Sequence, residues 1–315
     1  MTAGNTPAAA AIEQGRKVAD EILNARTAAR QRRARVLETA PETLRLQVQA
    51  LSPDGQAGAV ATLRTAGFLV AAGDSWFDYP FHDVLKILDD DYGYDVESVA
   101  HKGDPIEKMA YVGGQLDDFA RKLEKVLGHG ATPKAALLSG GGNDVAGNEF
   151  GMLLNSALSP IPGWDAQILD GVINDRIFTA YVQMLSSMTQ ICVKKIGHTV
   201  PILIHGYDYP VPDGRGFWGG WPFPGPWLEP GFREKNFQDL HRRIDLMHDL
   251  IDRFNAILSR LPSLPEFTHV HYVNLRGTLS TGADYQTWWD NELHPTKEGF
   301  QAVTKKFADV LRALP

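Results

Sequence analysis

Three side chains suited to acyl transfer stand far apart in the sequence: a serine, an asparagine and a histidine. Ser75 follows the apolar stretch 68–72, Asn143 follows a second apolar stretch and three glycines, and His294 lies near the C-terminus. A serine hydroxyl needs an adjacent base before it becomes a good nucleophile, and an amide can donate to the oxyanion that forms during attack. We therefore predict that these three residues meet in one catalytic site.

The elements that must bring these residues together are short, buried strands. Apolar runs of four to six residues bounded by glycine are typical of parallel strands, and ligands bind at the carboxyl ends of such strands. Gly73 lets the chain leave its strand sharply because it has no Cβ atom. Pro295 disfavours helical geometry at His294 and so places the histidine on a loop. Strands alternate with helices from Phe68 onward, which predicts a parallel sheet covered on both faces. The predicted strands are 68–72, 95–100, 135–139, 200–205 and 269–275.

Four sequence blocks resemble those of the SGNH (GDSL-type) hydrolases, a family of serine esterases, lipases and carbohydrate deacetylases. They are Gly-Asp-Ser at 73–75, a glycine at Gly103, Gly-Gly-Asn-Asp at 141–144 and a partial Asp-x-x-His-Pro match at 291–295. The resemblance covers residues 67–315. It implies a flavodoxin-like three-layer α/β/α fold with a five-stranded parallel sheet. It also implies a serine esterase without a cofactor, acting on short-chain acyl esters or acetylated carbohydrates.

The family pattern assigns roles to the individual residues. Ser75 would be the nucleophile and His294 the general base, while the N–H groups of Ser75 and Gly103 and the amide of Asn143 would form the oxyanion hole. The family has an aspartate three residues before the histidine, and here that position is occupied by Asn291. We predict that Asp290 swings in to orient the imidazole, with a Ser–His pair supported by a backbone carbonyl as the second possibility.

A loop rich in glycine, proline and aromatic residues, 206–231, interrupts the alternation after the fourth strand. Long loops inside compact domains are often functional. We predict a lid or substrate wall, and the alternative is a small aromatic core that holds the loop down. The loop aromatics are Phe217, Trp218, Trp221, Phe223 and Trp227, and the other residues expected to line the site are Trp76, Tyr207, Asp208 and Trp288.

Residues 1–66 form a separate helical extension with no aromatic residue. We predict a helix over 10–38 and a second one from Pro41. The extension is expected to pack on the domain or on a partner subunit, which makes a homo-oligomer possible. An alternative is that the arginines of 30–35 contact an anionic surface.

Composition narrows the function classes. The 315 residues carry a net charge of −7, which argues against a nucleic-acid partner, and the single Cys192 excludes an intrachain disulfide. The histidine pairs at 241/248 and 269/271 lack further ligands at metal-binding spacing, so no metal is expected.

We expect no membrane span, and a cytoplasmic protein unless a signal peptide has been removed. The substrate would be a small-molecule or glycan ester. The alternative function is a non-catalytic glycan- or acyl-binding protein with a degenerate triad.

Overall fold

The computed structural model describes residues 6–38, 65–111, 114–147 and 149–315. Five parallel strands form the central sheet. They are β1 (Gly67–Ala72), β2 (Tyr94–Ser98), β3 (Ala135–Leu138), β4 (Ile202–His205) and β5 (Val270–Val273). Their order in the sheet is β2-β1-β3-β4-β5, which confirms the predicted flavodoxin-like architecture.

Helices cover both faces of the sheet. The α-helices are α1 (Pro7–Glu38), α2 (Val84–Asp90), α3 (Ile106–Tyr111), α4 (Gly114–Gly128), α5 (Ala166–Asp170), α6 (Phe178–Ile196), α7 (Glu229–Glu234), α8 (Leu240–Arg260), α9 (Tyr285–Trp288) and α10 (Lys297–Ala313). Helices α2 and α10 pack together on one face of the sheet, and α3, α4, α6 and α8 lie on the other. Short 3₁₀ turns occupy Gly142–Asp144, Phe150–Leu153, Phe217–Gly219, Leu261–Ser263 and Pro265–Phe267.

The helical stretch 166–196 is divided into three parts. A π-helical segment, Gly171–Ile177, separates α5 from α6. Such segments occur often at functional sites, and this one carries Ile173 to a cavity beside Ser75. The preceding passage contains a short antiparallel pairing of Leu154–Asn155 with Gly163–Trp164.

The N-terminal helix α1 packs on α6 of the same chain. Ser186 and Ser187 donate hydrogen bonds to the carbonyls of Ile12 and Gly15 at 2.7 and 2.9 Å. A Cβ atom at Gly15 would lie 2.5 Å from the carbonyl oxygen of Gln183, so glycine permits this close approach. The docked arm agrees with the prediction that the extension packs on the domain, while a homo-oligomer stays a prediction. The helix expected from Pro41 lies outside the described residues.

The strands deliver the functional residues to one edge of the sheet. All four residues of β3 and of β4 are buried, so these strands lie in the core. Because parallel strands point the same way, the turns after β1, β3 and β4 emerge at the same edge. Within the described ranges, no helix combines the length and apolar character needed to cross a membrane.

Candidate active site

Ser75 and His294 are in direct contact although 219 positions separate them. The Ser75 hydroxyl lies 2.8 Å from Nε2 of His294, and Nδ1 of the same ring lies 3.0 Å from Oδ1 of Asn291. An amide oxygen only accepts, so Nδ1 carries the proton and Nε2 presents its lone pair to the serine. This tautomer is the one a general base requires.

The orientation of the Asn291 amide is fixed from both ends. Its oxygen accepts from the backbone N–H groups of Leu293 at 3.0 Å and His294 at 3.1 Å. Its nitrogen donates to Asp290 Oδ2 at 3.1 Å and to the Tyr79 hydroxyl at 2.9 Å. A turned amide would set its NH₂ against two N–H donors, so the carbonyl stays on the histidine side.

Asp290 does not orient the imidazole directly, contrary to our prediction. Its carboxylate accepts from the Tyr79 hydroxyl at 2.9 Å and from the Asn291 amide, and therefore lies one residue behind the histidine contact. The peptide nitrogens of both Asp290 and Asn291 point at the carbonyl of His294. This turn directs the side chain of Asn291, rather than that of Asp290, at the ring.

The imidazole of His294 is enclosed by aromatic rings. Tyr79 stacks on it with ring centroids 4.2 Å apart, and Trp227 meets it edge-on at 5.7 Å. Burial lowers the pKa of His294 to about 3, because the charged ring would lose its hydration. The imidazole of His294 is therefore neutral across the physiological range.

Two backbone N–H groups beside Ser75 are available to an oxyanion. Within the part of the chain that the structure describes, neither the N–H of Ser75 nor that of Gly103 has a protein acceptor. Gly103 adopts φ = +83°, which favours glycine at this turn. The Asn143 amide makes one contact, 3.3 Å to the carbonyl of Asp104. Gly103 and Asn143 line the same cleft as Ser75 and His294.

Asp144 joins the two loops that supply these donors. Its carboxylate accepts from the N–H groups of Ile106 at 2.8 Å and Glu107 at 3.2 Å, at the start of α3. Because α3 follows the Gly103 turn directly, this contact fixes the Asn143 turn relative to Gly103. Burial raises the pKa of Asp144 to about 6, although its two backbone hydrogen bonds oppose the shift.

The nucleophile turn is held from below by buried polar groups. Asp74 Oδ1 accepts from the N–H of Trp76 at 3.0 Å and from the Ser139 hydroxyl at 2.7 Å, and Oδ2 accepts from the Tyr207 hydroxyl. His205 Nε2 lies 2.9 Å from the same Ser139 oxygen. Tyr207, which we expected to line the cleft, is thus mainly a support of the turn, and its ring also borders an inner cavity.

Gln115 of α4 clamps the peptide of Gly73. Its side-chain oxygen accepts from the Gly73 N–H, and its nitrogen donates to the Gly73 carbonyl, both at 2.9 Å. The same nitrogen lies 2.9 Å from Oδ2 of Asp104. This single amide therefore connects the nucleophile turn to the loop that carries Gly103.

Two buried carboxylates fix the long loop. Asp208 accepts from the N–H groups of Gly277 at 2.7 Å and Leu279 at 2.6 Å, so it secures backbone rather than facing a substrate. Glu292 lies beside His294 in the chain and accepts from four backbone N–H groups of the loop region at 2.7–3.0 Å. Those donors are Gly214, Trp227, Leu228 and Glu229.

The loop forms part of the wall of the cleft that holds Ser75 and His294, which we call the outer cleft. Its aromatic lining residues are Tyr79, Phe217 and Trp227. The other aromatics of the prediction lie elsewhere: Trp218 and Trp221 are 63% and 95% exposed, and Trp288 donates to Asp284 at 3.1 Å. None of the last three lines a cavity that reaches Ser75.

A second space, which we call the inner cavity, also borders Ser75 and Asn143 but not His294. Trp76 borders it and donates from Nε1 to the Leu293 carbonyl at 3.0 Å, which joins the serine and histidine loops. The remaining walls come mostly from α8 and the turn after β3. Among the residues described, no group of three His, Cys, Asp or Glu side chains is placed to hold a metal ion.

The sequence prediction missed the roles of Gln115 and Glu292, and it preferred Asp290 to Asn291 as the residue that orients His294. The spacing Asn291-x-x-His294 is compatible with an Asx turn, in which an amide oxygen accepts nearby backbone N–H groups, and this signal could have indicated the asparagine. For Gln115 and Glu292 the sequence offers no comparable local signal, because Gly73 lies 42 positions from Gln115 and the loop donors lie 63 or more positions from Glu292.

Comparison with solved structures places esterases among similar folds. A catalytic mutant of Axe2, an acetylxylan esterase from Geobacillus stearothermophilus, aligns over 78% of this chain and 94% of its own, with 14% identity and a TM-score of 0.40. A carbohydrate esterase family 3 protein from Talaromyces cellulolyticus covers 79% and 100%, with 12% identity and a TM-score of 0.41. An alpha/beta hydrolase from the metagenome of Lake Arreo, Spain, covers 80% and 97%, with 14% identity and a TM-score of 0.38. No family model and no curated protein matches the chain.

Proposed function

We propose that this protein is a serine esterase of the SGNH type that hydrolyses carboxylic esters through an acyl-enzyme. The observation that carries the proposal is the relay Ser75 Oγ–His294 Nε2 at 2.8 Å and His294 Nδ1–Asn291 Oδ1 at 3.0 Å. A nucleophile and its base within hydrogen-bond reach, with the base oriented by a third group, is the arrangement that covalent acyl transfer needs.

In the first half-reaction, Ser75 attacks the ester carbonyl carbon while its proton passes to Nε2 of His294. The carbonyl oxygen becomes an oxyanion, which the N–H groups of Ser75 and Gly103 and the amide of Asn143 stabilise. His294 then gives the proton to the leaving alkoxide, and the C–O bond breaks to release the alcohol. Water, deprotonated by the same histidine, attacks the acyl-enzyme and frees the acid.

The imidazolium formed in this reaction faces an amide oxygen instead of a carboxylate. Replacing aspartate by asparagine in a serine protease costs about 10⁴-fold in kcat, attributed to the wrong tautomer. Here Asp290 and Tyr79 hold the Asn291 amide so that its carbonyl faces the ring, which preserves the useful tautomer. The Asp290 carboxylate also supplies negative charge one hydrogen bond further from the ring.

The test is hydrolysis of p-nitrophenyl esters together with fluorophosphonate labelling. Ser75→Ala should lower kcat by at least about 10⁴-fold and abolish labelling, since a triad acts as a unit. Ser159 is partly exposed and lies outside both cavities, so Ser159→Ala is the matched control and should behave like the wild type. Hydrolysis that persists within tenfold in Ser75→Ala would place the activity elsewhere. If the wild type neither turns over nor is labelled, the ligand-binding alternative is favoured.

A further inference from the structure

The inner cavity and the outer cleft meet at Ser75 and Asn143 but differ in one catalytic respect. Both are bordered by these two residues, whereas His294 borders only the outer cleft. In ester hydrolysis the histidine must reach the leaving oxygen to protonate it. The alcohol portion of the substrate therefore occupies the outer cleft, and the acyl portion extends to the other side.

The side opposite His294 is almost wholly apolar. Helix α8 contributes Leu250, Ile251 and Phe254, the turn after β3 contributes Val145 and Ala146, and the π-helical segment contributes Ile173. Such walls gain free energy when they remove methylene groups from water, and they offer nothing to sugar hydroxyl groups.

The polar residues at the edge of the inner cavity are already engaged. Both oxygens of Asp74 are used by the nucleophile turn, and the Tyr207 hydroxyl donates to Asp74 while accepting from Gly142 at 3.2 Å. Asp208 accepts from backbone N–H groups through both oxygens. A polar acyl group entering this space would lose its own hydration without finding partners.

The geometry points to an ester of an unbranched aliphatic acid longer than acetate as the substrate, with its acyl chain in the inner cavity. This inference rests on the proposed esterase function. It favours acyl esters over acetylated carbohydrates as the substrate class. Each additional buried methylene should raise kcat/KM by about fourfold until the cavity is filled.

The experiment compares p-nitrophenyl acetate, butyrate and octanoate at one pH, with each rate divided by that of imidazole-catalysed hydrolysis. For the wild type we expect butyrate, with two more methylenes, to exceed acetate by about fifteenfold in kcat/KM. Ala146→Phe, which fills the cavity, should lower the octanoate-to-acetate ratio by at least tenfold. Phe217→Ala, on the opposite side of Ser75, should leave this ratio unchanged even where both rates fall.

A second variant covers the case in which Ala146→Phe fails to fold. Ile251→Ala lengthens the cavity and should raise the octanoate-to-butyrate ratio. A wild type that prefers acetate, or ratios unmoved by both cavity variants, overturns the inference while Ser75-dependent turnover stands. Loss of Ser75 dependence would instead overturn the esterase proposal itself.

Discussion

The loop that carries Ser75 and the loop that carries His294 are held by different parts of the molecule. The serine turn is tied to the core of the sheet through Asp74 and through the Gln115 clamp. The histidine loop is tied mainly to residues 214–229 of the inserted loop, through the four N–H groups that Glu292 accepts. Tyr207, at the start of the inserted loop, supports the serine turn instead. A support that belongs to the core is needed for folding, whereas a support in an added loop can be lost with the fold intact.

This difference predicts whether a substitution near the site lowers stability first or turnover first. Defects around the serine turn should appear first as lost stability, since they leave buried polar groups unpaired. Defects around the histidine should appear first as lost turnover, because a small misplacement of a catalytic group can cost about 10²-fold in rate.

The largest effect after loss of the nucleophile is expected at Asn291. Asn291→Ala removes the oxygen that holds His294 and should lower kcat by about 10³–10⁴-fold with little change in KM. Asp290→Ala should cost only about tenfold, because two backbone N–H groups still hold the amide oxygen. Steady-state kinetics on one ester measures both. If Asn291→Ala keeps kcat within a few-fold of the wild type, a Ser–His pair suffices.

The double exchange Asp290→Asn with Asn291→Asp is the control for this prediction. It places a carboxylate on the imidazole while keeping an amide behind it, so the pKa of His294 should rise. The direction of the pH effect on activity follows from the charge of His294, because the imidazole can accept the serine proton only when it is neutral. Since burial lowers the pKa of His294 to about 3, the wild-type kcat/KM should be flat from pH 8 to about 5. The exchanged variant should lose activity on acidification at a higher pH than the wild type.

A smaller effect is expected at Glu292, the support of the histidine loop. Glu292→Ala removes the acceptor of four N–H groups and should lower kcat by about 10²-fold. Glu292→Gln retains one accepting oxygen, so its kcat should lie between that of Glu292→Ala and that of the wild type. Glu234 is an exposed glutamate at the end of α7, so Glu234→Ala is the matched control. Equal kcat in Glu292→Ala and the control would show that residues 214–229 do not position His294.

Much of this arrangement could be predicted from sequence because it depends on local patterns. Apolar runs ending in glycine marked β1 and β3, and proline after His294 marked a loop, so the serine, asparagine and histidine were found without coordinates. The choice between Asp290 and Asn291 depends on a single turn of backbone, and neighbouring positions in a loop have no fixed periodicity. The inner cavity is built from α8, a π-helical segment and a turn that lie far apart in the chain.

Some of the aromatic residues predicted to line the site are placed elsewhere for a related reason. Aromatic side chains suit a substrate wall, a small core or an exposed surface equally well, and composition does not distinguish these uses. The contact of Phe217 with Tyr79, at 5.8 Å between ring centroids, places one face of the loop on the cleft. The neighbouring Trp218 stacks on the Phe217 ring at 5.2 Å between centroids but stays 63% exposed, and Trp221 is 95% exposed.

The smallest effect on turnover is expected under the serine turn, at Tyr207. Tyr207→Phe leaves an oxygen of Asp74 and the N–H of Gly142 unpaired in the core, which should cost about 1–3 kcal/mol of folding free energy. The melting temperature should fall by several degrees while kcat stays within a few-fold of the wild type. Tyr209→Phe removes a hydrogen bond to Asp252 at the surface, so it should change stability by about 0.5 kcal/mol at most.

Calorimetry and esterase kinetics on the two tyrosine variants measure this contrast directly. If Tyr207→Phe melted like Tyr209→Phe but lost turnover like Glu292→Ala, the serine turn would be a catalytic support of the same kind as the histidine loop. The distinction between a support that belongs to the core and a support that belongs to the inserted loop would then be wrong. If both properties follow the prediction, residues 214–229 can change without unfolding the sheet, because the backbone groups that Glu292 accepts there support the histidine loop.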